Sequence, residues 1–268
     1  MDFISKIYNK GVQSLKFLVV NKKYIRLVAV MLVSVILLSI NYGGGASASV
    51  YFGYVPRLVP IYNVETEEKR VAISFDSAWG ADKTTRIVDL IKEYNMNATF
   101  FLVGFWVEDY PDMVKYIMDN GLEIGTHSNT HPDFTKLSEE QMKLELETSI
   151  ESIKKITGQD VELFRAPFGA YNNTMLNLTE SMGLKTIQWD VDTLDWKGLS
   201  GLEICERVMS KVKNGSIILC HNNSDHILDA LPLLLERLKN AGFTVGSVGE
   251  LIYEDNYYID NLGIQHKN

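Results

Sequence analysis

Beyond about residue 69 the chain alternates short apolar runs with longer stretches of helical period. The runs VAISF, ATFFLV, LEIGTH, ELFRAP, LKTIQWD, SIILCH and FTVGSV are rich in β-branched and aromatic residues and read as seven strands. Between them, segments near 84–95, 110–120, 138–156, 172–182, 201–213 and 227–240 repeat their apolar positions every three or four residues and read as helices. Strict alternation of strand and helix predicts an α/β fold with a parallel sheet, either open and doubly wound or closed into a barrel.

The start of the chain follows another rule. Six basic residues, Lys6, Lys10, Lys16, Lys22, Lys23 and Arg26, precede the uncharged, mostly apolar run Leu27 to Ile40, and Ala46-Ser47-Ala48 then reads as a small-residue cleavage site. Residues 1–48 therefore read as a signal peptide or a retained membrane anchor, with the body outside the cytoplasmic membrane by positive-inside logic. Residues 49–68 carry two prolines and no clean period and read as a lead-in; 69–253 form the body, and 254–268 read as a surface extension.

Composition narrows the function. At 268 residues and 46% hydrophobic the chain can build one sizeable core, and with the basic start set aside the body is more acidic than the overall net charge of −8. An acidic body argues against a nucleic-acid partner. No G-x-G-x-x-G follows the first strand and no P-loop lysine motif occurs, which argues against a nucleotide cofactor. The two cysteines, Cys205 and Cys220, give no disulfide framework and read as buried thiols, though a single bridge stays open.

Polar and ionisable residues gather after successive strands: Asp76 after the first, THSNTH after the third, RAPFGAYN after the fourth, DVDTLDW after the fifth and CHNNSDH after the sixth. Parallel α/β folds assemble their sites at these carboxyl ends. His127 and His131, four apart with small polar residues between, are candidate metal ligands, and Pro132 argues that they bracket a tight loop rather than lie on a helix. Asp76 and Asp82 are candidates for a third ligand, and Asp82 is equally well placed to cap the helix that follows. His221 stands at a strand tip, suited to proton transfer, with Asp195 able to orient its ring and raise its pKa. Arg165 could fix a carboxylate or anchor a loop. His226 and His266 read as surface residues.

SFDSAWGAD, THSNTH, RAPFGAYN, DTLDW and LCH, in this order and spacing, resemble the five motifs of the polysaccharide deacetylases, the NodB homology family or carbohydrate esterase family 4, over residues 69 to about 253. The resemblance implies a deformed (β/α)7 barrel. It implies Asp76 as catalytic base, Arg165 as the residue holding it, His221 as general acid and Asp195 as the residue tethering that acid. It further implies His127 and His131 as ligands of a divalent metal, zinc or cobalt, a backbone N–H at Phe168 for the oxyanion, and Trp196 with Leu219 as walls of an acetyl pocket. The leader followed by a single such domain looks most like the sporulation-associated branch.

One position departs from the pattern: where the family carries a second, metal-binding aspartate, this chain has Ser77. Asp82 is the expected substitute, returned toward the strand tip by the Trp79-Gly80 turn. The expected function is metal-dependent removal of N-acetyl groups from an N-acetylhexosamine polymer, peptidoglycan or spore cortex. The alternatives are a catalytically impaired wall-binding or spore-assembly protein, and a deacetylase of O-acetyl esters or small cyclic amides.

Overall fold

The computed structural model describes residues 22–41 and 56–268. The cleavage-site reading at Ala46-Ser47-Ala48 lies outside the described residues. Lys22–Asn41 is a 20-residue helix. Among the described residues no helix is long and apolar enough to cross a membrane. Arg57–Asn268 forms a separate compact unit.

In that unit the strands are β1 (Asn63–Val64), β2 (Arg70–Ser77), β3 (Thr99–Leu102), β4 (Glu123–Thr126), β5 (Leu163–Phe164), β6 (Lys185–Thr186), β7 (Val191–Asp192), β8 (Ile217–His221), β9 (Thr244–Gly246), β10 (Tyr257–Ile259) and β11 (Ile264–Lys267). The main sheet has eight strands in the order β6-β5-β4-β3-β2-β8-β7, with β9 also paired to β2. Its ladders are parallel. This is a curled α/β half-barrel, and the eighth strand is Val191–Asp192, too short to leave a period of its own. The expected helices occur at Thr84–Glu93, Pro111–Asp119, Glu139–Thr157, Asn173–Ser181, Gly201–Met209 and Ile227–Asn240, with Gly104–Asp109 and Val248–Leu251 in addition.

β2 is buried along nearly its whole length because it is covered on both faces, which explains a largely apolar run, Val71 to Phe75, whose one polar member, Ser74, donates its hydroxyl to the Ile218 carbonyl. Val71, Ile73 and Phe75 pack with the helices, whereas Ala72 packs inside the curl with Phe101, Leu163, Ile187 and Ile217. The lead-in and tail are less peripheral than their composition suggests. Ile61 bridges Ile187 and Asn63 bridges Ser216, so the lead-in links segments from opposite ends of the sheet. β11 pairs with both β1 and β10 in a second, three-stranded sheet.

Candidate active site

Strand alternation places the chemistry on one face. Asp76 shares the inner side of β2 with Ala72, and its register partners are Phe101 on β3 and His221 on β8. His127 follows Gly125, the register partner of Phe101, by two residues; Arg165 follows the inward Leu163 by two. Gly125 is required here, since a Cβ would come within 2.7 Å of the Phe101 ring. Asp76, His127, Arg165 and His221 therefore converge at the carboxyl end of the sheet.

Arg165 is fully buried. One guanidinium nitrogen donates to Asp76 Oδ1 at 2.8 Å, another donates to the Gln188 carbonyl at 3.1 Å, and the group lies 4.1 Å from the Phe101 ring centroid. Burial pushes the Asp76 pKa up, but the opposing charge of Arg165, joined by His127 and His221 when those are protonated, outweighs it and holds the carboxyl below its ordinary value. Asp76 is thus an anion at neutral pH.

His221 is held by a second carboxylate. Asp195 Oδ2 accepts the His221 backbone N–H at 2.8 Å, and Oδ1 lies 2.7 Å from Nδ1. Burial lowers the His221 pKa, but its hydrogen bond to Asp195 and that residue's charge more than compensate and raise it. With Nδ1 engaged, Nε2 is left to carry a transferable proton.

His127 Nδ1 is 2.7 Å from the Arg165 carbonyl, which can only accept, so the proton sits on Nδ1 and the Nε2 lone pair faces Asp76 Oδ2 at 3.5 Å. Burial lowers its pKa. Burial, with the neighbouring His127, also takes His131 down to about 4. The His127–His131 segment is a tight loop, as Pro132 suggested. Ser128 has φ 73° and His131 φ 59°, although a residue before proline is normally extended. Glu145, on the Glu139–Thr157 helix, holds this loop: Oε2 accepts the backbone N–H groups of Asn129 and Thr130 at 2.9 and 2.7 Å, and Oε1 accepts the Thr130 hydroxyl at 2.6 Å. The helical pattern gave no hint of that role.

Asp82 does not join the histidines. It is exposed, and among the described residues no group of three or more His, Cys, Asp or Glu could together hold a metal ion. Nor does it cap the helix, whose N-cap is Lys83. The physical reason is the turn before it: the Gly80 carbonyl accepts from Trp106 Nε1 at 2.7 Å and Asn222 Nδ2 at 2.9 Å, tying the segment to neighbouring elements instead of folding Asp82 back to the strand tip. Ser77 is fully buried, and its hydroxyl has no hydrogen-bond partner. Two neutral imidazoles fit a divalent cation, but as a donor set poorer than the usual three protein ligands.

Leu219 is buried on the inner face of β8, in register with Ser74. Trp196 is instead largely exposed, with the Lys197 ammonium 4.9 Å from its ring centroid. In the turn at Phe168, Pro167 has no N–H, while Gly169 and Ala170 donate to Ala166 and Pro167 carbonyls. That leaves the Phe168 N–H as the turn's candidate donor to an oxyanion. Cys205 and Cys220 are both free and buried. His266 is fastened between Glu65 at 2.7 Å and Asp260 at 3.2 Å, joining the lead-in to the tail.

A family model described as polysaccharide deacetylase matches residues 63–187. YlxY of Bacillus subtilis, described as uncharacterized, is 32% identical over 195 residues, covering 73% of this chain and 61% of that protein, so the chain spans less than two thirds of this relative. The peptidoglycan-N-acetylmuramic acid deacetylase PdaA of the same organism is 31% identical over 205 residues, 75% of this chain and 78% of PdaA. The solved structure of BA3943 from Bacillus anthracis, described as a CE4 family pseudoenzyme, matches with a TM-score of 0.71 at 31% identity, covering 81% of this chain and 75% of that one. A mutant of BA3943 is described as having restored enzymatic activity. The five motifs, the half-barrel and these relatives agree: the chain belongs to the polysaccharide deacetylase family.

Proposed function

We propose that the protein hydrolyses N-acetyl groups on the hexosamine units of a cell-wall glycan, peptidoglycan or spore cortex, releasing acetate and a free amino sugar. The observation that carries this reading is a pair of register partners on adjacent strands, Asp76 held by Arg165 at 2.8 Å and His221 held by Asp195 at 2.7 Å, holders that favour the anion of the one and the cation of the other. Amide hydrolysis requires both.

Asp76 takes the proton of the attacking water while Arg165 keeps the carboxylate ionised and aimed. Attack on the acetyl carbon makes a tetrahedral oxyanion, for which the Phe168 N–H is the fixed dipole. His221 Nε2 then protonates the amine so that it can leave, and Asp195 stabilises the imidazolium before the transfer. Leu219 lines the buried side of the site. His127 and His131 would hold a divalent ion, zinc or cobalt, whose chemistry there would be to polarise the acetyl carbonyl and lower the pKa of bound water.

A basic start followed by an apolar run supports export, with the body placed outside the cytoplasmic membrane and either anchored or secreted. The leader and single deacetylase domain also support a place in sporulation.

The second reading, a wall-binding protein without turnover, is favoured by Ser77 and by the separation of Asp82 from the histidines. Acetate release from peptidoglycan and N-acetylglucosamine oligomers separates the two, measured on metal-stripped protein titrated with zinc, cobalt and manganese. Release that needs metal and disappears in Asp76→Asn is the expected result. Glycan binding without release under any metal would establish the second reading.

A further inference from the structure

We propose that Trp79 is a substrate-positioning residue that stacks on a pyranose ring of the glycan, with Phe168 as the facing wall of the same cleft. The inference rests on the deacetylase reading and deepens it, since it says how a sugar polymer is held over the proton-transfer pair.

Trp79 and Phe168 are 63% and 70% exposed, among the most exposed aromatic side chains of the body. Both lean on one imidazole: the ring centroids of Trp79 and Phe168 lie 5.2 and 4.7 Å from that of His131, which is itself 4.9 Å from His127. The two rings thus bracket the histidine loop at the mouth of the site. Their backbones are fixed rather than free. The Gly80 carbonyl just after Trp79 accepts from two buried side chains, and Gly80 has φ 64° with Asn223 so close that a Cβ would come within 2.6 Å of it. Lys83 Nζ ties the same segment to the Asn223 and Ser224 carbonyls. Phe168 is held in the left-handed region, at φ 61°, where non-glycine residues are strained.

A chain does not lower its folding free energy by fixing large apolar rings in water. A rigid, exposed ring is preorganised for a ligand, since little side-chain freedom is lost on contact. The ligand chemistry that fits is a pyranose, which presents a C–H face to an aromatic face while its hydroxyls stay in water. Trp196 is less suited, because the Lys197 ammonium already sits over its ring.

The test uses the full chain with Trp79→Ala and Trp79→Phe, and N-acetylglucosamine oligomers of increasing length as probes. Binding is read by calorimetry and by the change in tryptophan fluorescence. Trp79→Ala should weaken the longest oligomer by about tenfold, on the scale of removing one stacked ring, and abolish most of the fluorescence change. Trp79→Phe should restore most of the affinity, and the loss should appear in KM more than in kcat. Unchanged oligomer affinity in Trp79→Ala overturns the proposal alone. Failure of the unaltered protein to bind any oligomer overturns it together with the deacetylase reading. A concentration-dependent dimer that Trp79→Ala disperses without altering glycan affinity assigns this face to a second copy and also overturns the proposal.

Discussion

Replacing Arg165 with methionine isolates the interaction on which the proposed base, Asp76, depends. Methionine keeps much of the stem's volume but removes the donor to Asp76 at 2.8 Å, the donor to the Gln188 carbonyl at 3.1 Å and the cation over Phe101 at 4.1 Å. Asp76 is then a buried carboxylate without its counter-charge, and removing one partner of a buried pair costs about 3–5 kcal/mol. Against a total stability of about 5–15 kcal/mol this is readily measured by urea unfolding at pH 7 with tryptophan fluorescence. The sign of the pH dependence follows. In the unaltered protein the Asp76 pKa is lowered on folding, so its stabilisation is present above the unfolded value of 3.8 and lost as pH falls through the folded one. In Arg165→Met the main opposing charge is gone, burial dominates, and the folded pKa rises above the unfolded value. The penalty is then full at neutral pH and shrinks as acid protonates Asp76. The double variant Asp76→Asn/Arg165→Met should be more stable than Arg165→Met alone. A cost below about 1 kcal/mol at pH 7, or an equal cost with and without the Asp76 charge, would refute the reasoning.

Three further outcomes are expected. Asp195→Asn removes the charge that raises the His221 pKa, so the alkaline limb of kcat/KM should move to lower pH; an unmoved limb would show that His221 is not the titrating acid. Glu145→Gln keeps only one acceptor oxygen for the loop bearing His127 and His131, and should cost about 1–2 kcal/mol in thermal unfolding while weakening metal binding; no change in either measurement would remove Glu145 from the site's support. Ser77→Asp supplies an ionised ligand where an orphaned hydroxyl now stands, and cobalt absorption titrations should show binding tighter by about tenfold or more; an unchanged affinity would place Ser77 outside the metal's reach.

Much of the architecture was legible because the half-barrel writes itself into local pattern. Both faces of β2 are buried, so its run is largely apolar until Asp76, and the helices between strands keep a clear period. Short pairings escaped. Val191–Asp192 has only two residues, and β1 owes its pairing with β11 to a partner about 200 residues away in sequence, which no local window contains. Motif order brought Asp76, Arg165, His127, His131, Asp195 and His221 forward, and the structure gathers them at one end of the sheet. Glu145 and Asn222 were missed because their work is to hold backbone: one lies on an amphipathic helix and the other follows His221 as an ordinary turn residue. The expectation for Asp82 failed for a related reason. Chain proximity put it near the strand tip, but anchoring of the Gly80 carbonyl decides where the chain goes next.

Ser77 raises the question of whether a site with a reduced metal donor set still turns over, and the energetics of its surroundings bear on the answer. Buried ion pairs are weak sources of stability, and apolar replacements of similar volume often serve a fold as well or better. This chain buries the Asp76–Arg165 pair and sets Asp195 against His221 at the same strand ends. Among the described residues, four of the six non-glycine positions with positive φ, Ser128, His131, Phe168 and Leu194, lie in the loops around them. Such conformations cost about 1–3 kcal/mol each and persist where surrounding structure enforces them. A platform that only gripped sugar would need the aromatic rim and nothing of the proton-transfer pair behind it. Such a base, such an acid and the residues that hold each are what the proposed hydrolysis requires, one group to take a proton from water and the other to deliver one to the amine. On the proposed reading, Ser77 weakens the hold on a metal ion and leaves the proton-transfer groups in place.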